Sequence, residues 1–172
     1  MATAIVTPMT ADAIDYEALD RFLDFQIENG INAIVVMGTT GENVTIEFEE
    51  QKKIIEFTVK KVAGRVPVIA GTGTNNTAHV LANTRNACEV GVDAVLVVTP
   101  YYNKATQTGL MKHYNAIADY VEIPIILYSV KSRTGVNITP STVKELKKHP
   151  NIRGIKEASG DITQICQIAD KP

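Results

Sequence analysis

A lysine that closes a short apolar run is the residue in this sequence with the most evident chemical potential. Lys156 directly follows the segment Ile-Arg-Gly-Ile at 152–155. If that segment is a strand that ends in the mouth of a barrel, burial favours a neutral amine, which can attack a carbonyl carbon. If the strand ends at an open surface, the lysine is simply solvated, as most lysines at strand ends are. The sequence therefore makes Lys156 a candidate for Schiff-base chemistry, with a solvated lysine as the alternative.

Aromatic and basic side chains follow two other apolar runs. Tyr128 ends one of them, so we expect its ring to be buried and its hydroxyl to need a partner. Arg133 lies in the Ser-Arg-Thr-Gly loop that follows, where a guanidinium fork could bind a substrate carboxylate or simply be solvated. Tyr101 and Tyr102 are adjacent, so at most one ring is expected to face inward, where a phenol could move protons.

Two glycine-containing segments follow the second and third apolar runs. Gly-Thr-Thr-Gly-Glu at 38–42 predicts either a tight turn with a polar filling or a backbone that approaches an anionic ligand. Gly-Thr-Gly-Thr-Asn-Asn-Thr at 71–77 resembles part of a dinucleotide fingerprint but lacks its third glycine. A turn that leads into a helix capped by Asn or Thr explains the second segment better.

The elements that must position these residues repeat along the chain. Six short runs rich in Val and Ile, at 4–8, 33–37, 68–70, 94–98, 125–128 and 152–155, alternate with helical patterns. The spacing of roughly thirty residues is that of a βα unit. An α/β fold of six βα units is therefore predicted, either as an open doubly wound sheet or as part of a (βα)₈ barrel. No linker or charge block divides the chain, so we expect a single domain over residues 1–172.

Composition and charge exclude several classes of function. The formal net charge of −2 argues against a nucleic-acid partner or a membrane surface, and no stretch of eighteen apolar residues predicts a transmembrane helix. Residues 1–4 do not read as a signal peptide, so a cytoplasmic location is expected. The cysteines, Cys88 and Cys166, are expected to be packing residues, and the three histidines lack the spacing of a metal site.

The motifs taken together resemble one known family. Thr7-Pro8, GTTGE at 38–42, AGTG at 70–73, PYYN at 100–103, SRTG at 132–135 and GIKEASG at 154–160 stand in the order and at the spacing typical of the dihydrodipicolinate synthase family. The resemblance spans all 172 residues. It implies a TIM (βα)₈ barrel of which this chain supplies about six βα units, without the last two units and the C-terminal helical region.

The resemblance also implies a role for each candidate residue. Lys156 would form a Schiff base with pyruvate, and the resulting enamine would attack aspartate 4-semialdehyde, in the diaminopimelate route of lysine biosynthesis. Tyr128 would be the general acid and base, linked through Thr39 to Tyr102, which reaches the site of a neighbouring subunit in this family. Thr40 would hold the pyruvate carboxylate.

Arg133 would bind the carboxylate of the semialdehyde. The resemblance implies no metal and no organic cofactor. It does imply a homo-oligomer, either a dimer or a tetramer.

Some features depart from the family pattern or leave alternatives. Ser129 and Lys131 stand where the family usually has Asn and Pro, a change expected to loosen the loop that carries Arg133. With about six βα units, open strand edges and a pocket without its last walls are expected, so that the isolated chain would be weakly active and prone to associate. The alternatives are another pyruvate-dependent class I aldolase, such as N-acetylneuraminate lyase or a keto-deoxy sugar acid aldolase, and a non-catalytic anion-binding αβ domain.

Overall fold

The computed structural model describes residues 1–169, in which strands and helices alternate. The elements are β1 (Ala2–Ala4), α1 (Tyr16–Glu28), β2 (Ala33–Val36), α2 (Phe48–Val62), β3 (Val68–Gly71), α3 (Thr77–Val90), β4 (Ala94–Val98), α4 (Gln107–Ala118), β5 (Ile125–Ser129), α5 (Lys131–Thr134), α6 (Pro140–Leu146), β6 (Ile152–Glu157) and α7 (Ile162–Ala169). Two 3₁₀ turns, Thr39–Gly41 and Asn43–Thr45, follow β2.

Contacts between residues divide the chain into two compact units. The first comprises Met1–Thr72 and Asn86–Val95, and the second comprises Gly73–Arg85 and Leu96 onward. Helix α3 and strand β4 therefore each contribute residues to both units. A single domain over 1–172 stays a prediction, and residues 170–172 lie outside the described part of the chain.

In the first unit, three parallel strands pair in chain order, β1 with β2 and β2 with β3. Their side chains and those of α1 and α2 form a buried core that includes Leu19, Leu23, Ile34, Ile54 and Val62. Helix α1 begins at an N-cap aspartate, Asp15, which accepts a hydrogen bond from the backbone of Ala18 at 2.8 Å. Lys61 of α2 bridges Asp20 and Asp24 of α1, at 2.7 Å from each, and so fixes the outer side of the helix pair.

In the second unit, β5 and β6 are parallel neighbours, and the main chain of Thr99, just after β4, donates to the carbonyl of Tyr128 at 3.0 Å. The fully buried Tyr114 of α4 donates its hydroxyl hydrogen to the carbonyl of Val97 at 3.1 Å, which anchors α4 to β4. Burial raises the pKa of Tyr114. As the sequence predicts, α6 begins with Thr139 as N-cap and Pro140 in its first turn.

The first strand is the element that sequence reasoning places least well. We predicted it over residues 4–8, whereas β1 comprises Ala2–Ala4. One further ladder bond joins the backbone of Ile5 to the carbonyl of Val35 at 3.0 Å. The hydroxyl of Thr7 then donates to the carbonyl of Gly41 at 2.8 Å, so this segment serves a turn and not the ladder. Helix α5 was not predicted, because four residues carry no readable apolar period.

Candidate active site

The pairing of β5 with β6 brings Lys156 and Tyr128 together. They are register partners in the parallel ladder, so their side chains emerge on the same face. The Nζ atom of Lys156 lies 4.5 Å from the centroid of the Tyr128 ring, within the range of a cation–π contact. The amine of a candidate Schiff-base lysine and the ring of a candidate proton carrier are therefore in direct contact.

The two strands differ in how far they are buried. Tyr128 is buried, as predicted, at 6% exposure, and most of β5 is buried with it. Lys156 is exposed, and β6 alternates between exposed and half-buried positions after Ile152. The described residues therefore do not desolvate the amine as we expected for a lysine in a barrel mouth.

Arg133 lies in the short helix α5, and its side chain is exposed. The backbone of Arg133 donates to the carbonyl of Val130 at 2.9 Å. The hydroxyl of the buried Thr134 faces the carbonyls of Val130 at 3.2 Å and Val136 at 3.0 Å. These contacts restrain the loop that we expected Ser129 and Lys131 to loosen.

Tyr102 protrudes from the turn after β4. Its side chain is 87% exposed, and its φ of 76° lies in the left-handed region, as does the φ of 51° at Lys104. Non-glycine residues adopt this conformation at a cost of about 1–2 kcal/mol each. The turn therefore holds the Tyr102 ring away from the second unit's own core.

Thr39 and Thr40 belong to the 3₁₀ turn that follows β2 in the first unit, and both are exposed. The turn is flanked by two non-glycine residues with left-handed backbone, Met37 at φ 54° and Glu42 at φ 57°. The hydroxyl of Thr7 donates a hydrogen bond to the carbonyl of Gly41 and so holds the turn in place. A tight turn therefore follows the second strand, as one of the two alternatives from the sequence requires, and binding of an anion there stays a prediction.

The glycine segment after β3 is explained by packing and capping. A Cβ atom on Gly71 would lie 2.0 Å from the carbonyl oxygen of Met37, so only glycine lets β3 approach the end of β2 this closely. The side chain of Asn76 accepts from the backbone of Ala78 at 2.9 Å, as an N-cap at the start of α3 does. The capped turn that the sequence favours over a dinucleotide site is therefore present.

Three residues that sequence reasoning did not single out as functional form a hydrogen-bonded cluster in the second unit. They are Ser129, Asn137 and Gln164, here called the amide cluster. The backbone of Gln164 also donates to the side chain of Asp161 at 3.2 Å, as a residue in the first turn of a capped helix does. No local signal marks the cluster, because residues 137 and 164 are far apart in the chain.

His113 is another buried polar residue of the second unit. Its Nδ1 lies 2.8 Å from the hydroxyl of Thr77, and burial lowers its pKa from 6.5 to about 4. Cys88 and Cys166 are free thiols, and burial raises the pKa of Cys88. Within residues 1–169, no group of three His, Cys, Asp or Glu side chains could hold a metal ion. In the same residues, no helix has the length and hydropathy needed to cross a membrane.

Comparison with known proteins identifies the family of this chain. The model of the Dihydrodipicolinate synthetase family matches residues 1–171. The 4-hydroxy-tetrahydrodipicolinate synthase of Thermoanaerobacter sp. (strain X514) is 53% identical over 167 residues, 96% of this chain and 56% of that protein. The synthase of Trichlorobacter lovleyi is 55% identical over 165 residues, 96% of this chain and 57% of that protein.

Solved structures give the same result. The 4-hydroxy-tetrahydrodipicolinate synthase of Methylacidiphilum fumariolicum SolV is 46% identical, with a TM-score of 0.96 over 98% of this chain and 56% of its own. The dihydrodipicolinate synthase of Acinetobacter baumannii, solved in complex with pyruvate, is 47% identical, with a TM-score of 0.93 over 95% of this chain and 56% of its own.

The chain belongs to the dihydrodipicolinate synthase family. Its fold is that of six βα units of a TIM barrel, so the barrel prediction is confirmed and the doubly wound alternative is wrong. The chain spans between 56% and 57% of the length of the curated relatives named above.

Proposed function

We propose that this chain carries the Schiff-base half of a 4-hydroxy-tetrahydrodipicolinate synthase, which condenses pyruvate with aspartate 4-semialdehyde in the diaminopimelate route to lysine. The observation that supports it best is the contact of Lys156 with Tyr128 across the β5–β6 ladder. The relatives that carry this name and the relative solved with pyruvate add to that support.

The proposed reaction begins at the amine of Lys156. Its neutral form attacks the keto carbon of pyruvate, water leaves, and an imine forms between the two. Tyr128 donates the proton that the departing oxygen needs and then takes a proton from the methyl group, which gives an enamine. The enamine carbon attacks the aldehyde of the second substrate, and hydrolysis of the product imine frees Lys156.

The remaining candidate residues take binding and relay roles in this proposal. Thr40 binds the pyruvate carboxylate, Thr39 relays protons between Tyr128 and Tyr102, and Arg133 binds the carboxylate of the semialdehyde. The protruding ring of Tyr102 supports the proposal that it enters the site of a second copy of the chain, in a dimer or a tetramer. The imine that Lys156 forms activates pyruvate, so the proposed reaction uses no metal and no organic cofactor.

Borohydride trapping tests the proposal. Incubation of the chain with pyruvate and sodium borohydride should leave a reduced pyruvate adduct on the peptide that contains Lys156, read by mass spectrometry. Lys156→Arg keeps the charge and should form no adduct, while Lys147→Arg, on a surface helix end, should not change trapping. A folded chain that forms no adduct would overturn the proposal. An assay with aspartate 4-semialdehyde, sialic acid and keto-deoxy sugar acids then separates the synthase from other class I aldolases.

A further inference from the structure

The amide cluster is built around a reciprocal pair of side chains. The Nδ2 atom of Asn137 donates to Oε1 of Gln164 at 2.6 Å, and Nε2 of Gln164 donates back to Oδ1 of Asn137 at 3.1 Å. The hydroxyl of Ser129 donates to the same Oδ1 at 3.3 Å and accepts from the backbone of Ile138 at 3.3 Å. Ser129 has no exposed surface, and Gln164 is 6% exposed.

Each member of the cluster lies on a segment that carries a candidate site residue. Ser129 is the residue after Tyr128 in β5. Asn137 lies four residues after Arg133. Gln164 lies in the first turn of α7, which a short connection joins to Lys156 at the end of β6. Three segments that are separate in sequence therefore meet in one set of hydrogen bonds.

The connection from Lys156 to α7 is itself held by side chains. The carboxylate of Glu157 accepts from the backbone of Ser159 at 2.7 Å, and the carboxylate of Asp161 accepts from the backbone of Gln164 at 3.2 Å. These two hydrogen bonds restrain the connection between the end of β6 and Gln164.

The cluster is suited to fixing position because Ser129 and Gln164 are buried and Asn137 is half-buried. Separating a buried amide pair leaves donors and acceptors without partners, at a cost of about 1–3 kcal/mol for each group. The hydroxyl of Ser129 provides a polar link from β5 to Asn137. The side chain of Gln107 extends the cluster to α4 by donating to the carbonyl of Asn137 at 2.8 Å.

We propose that Asn137 and Gln164 are positioning residues, which hold the segments of Tyr128, Arg133 and Lys156 in the arrangement that Schiff-base formation requires. This inference rests on the proposed function, since it concerns the same lysine. It assigns a role to side chains that do not touch the reacting atoms.

The test measures borohydride trapping at Lys156 as a function of pyruvate concentration. Asn137→Leu keeps the approximate volume and removes every side-chain hydrogen bond of residue 137, and Gln164→Met does the same at residue 164. Because small misplacements of reacting groups cost large factors in rate, we expect about a tenfold lower maximal trapping rate in each variant. The half-saturating pyruvate concentration should change by less than about twofold, because the carboxylate is assigned to Thr40 of the first unit.

Two further variants separate positioning from general stability. Asn137→Asp keeps the oxygen that accepts from Ser129 and Gln164 but places a second oxygen where Nδ2 of Asn137 donates to Oε1 of Gln164, so it should also lower the maximal trapping rate. Asn151→Leu is the matched control, because the amide of Asn151 also donates twice, to the carbonyls of Ala118 at 3.0 Å and Val121 at 2.6 Å, but at the opposite end of β6. It should lower the unfolding midpoint without changing the trapping rate.

The outcomes are distinct. If the unaltered chain forms no adduct, the proposed function fails and this inference fails with it. If it forms the adduct and folded Asn137→Leu and Gln164→Met trap at the same rate, the inference alone is wrong. Equal losses in Asn151→Leu and Asn137→Leu would also overturn it, because the effect would then be general loosening. If Asn137→Leu does not fold, the trapping rates of Gln164→Met and Asn137→Asp decide whether the inference holds.

Discussion

Two chain segments that carry candidate site residues are held in different ways. The turn with Thr39 and Thr40, in the first unit, is fixed by close backbone packing at Gly71 and by a single hydroxyl, that of Thr7. The segment after β5, in the second unit, is fixed by the side-chain amides of Asn137 and Gln164. The first mechanism is steric and needs glycine, whereas the second needs complementary polar groups. The two regions should therefore respond to different perturbations.

The addition of a single methyl group should reduce stability most in the first region, where backbones are closely packed. Gly71→Ala places a Cβ atom 2.0 Å from the carbonyl oxygen of Met37, and neither backbone can move without disturbing the β2–β3 ladder. We expect a loss of about 3 kcal/mol in the free energy of unfolding, measured with urea.

Gly154→Ala is the matched control, because a Cβ atom there meets nothing within 4 Å. It should change the free energy of unfolding by less than about 0.5 kcal/mol. Equal effects of the two substitutions would show that close approach of backbones does not fix the first region.

Acid should act on the second unit through His113. Burial lowers its pKa from 6.5 to about 4, so the unfolded chain binds the proton more readily than the folded chain between these values. This contribution to stability is complete above pH 6.5 and is lost as the pH falls toward 4, to a total of about 3 kcal/mol.

Urea unfolding of the chain and of His113→Phe, at intervals from pH 7 to pH 4, checks this contribution. The free energy of unfolding of the chain should fall steadily relative to that of His113→Phe as the pH falls. Parallel curves for the chain and His113→Phe would contradict the expectation.

The single hydroxyl of the first region should have an intermediate effect. Thr7→Val removes the hydrogen bond to Gly41 while keeping the shape, and should cost about 1–2 kcal/mol of unfolding free energy. Thr58→Val is the control, since Thr58 is also buried and also donates at 2.8 Å, but to a carbonyl one turn earlier in helix α2. We expect a smaller loss there because that carbonyl keeps its place in the helix ladder. A larger loss from Thr58→Val in urea unfolding would contradict this.

The smallest effect should come from comparing two helix caps in the second unit. Thr139 caps α6 and is also linked to the side chain of Gln107 at 3.2 Å, whereas Thr106 caps α4 at an exposed position. Replacement of either by Ala should cost about 1 kcal/mol, and Thr139→Ala should cost about 0.5 kcal/mol more because a second partner is lost. Thermal unfolding of both variants measures the difference, and equal midpoints would mean that the link to Gln107 adds nothing.

The amino-acid sequence by itself determined the order of strands and helices, the caps at Asn76 and Thr139, and the candidates Lys156 and Tyr128. These follow from local rules, because the period of apolar residues and the chemistry of caps act over a few neighbouring positions. The motif resemblance gave the family and the barrel. Neither the local pattern nor the resemblance could predict that β1 ends at Ala4, because the hydroxyl of Thr7 bonds to a turn that is distant in the sequence.

Only the tertiary structure decided which distant residues meet. The ladder between β5 and β6 sets Tyr128 opposite Lys156, and a shift of one residue would put the two side chains on opposite faces. Lys156 is exposed, and Asn137 meets Gln164, although nothing in the sequence near these residues predicts either result. Register and burial depend on the packing of whole elements, and that physical dependence is why the amide cluster could not be read from the sequence.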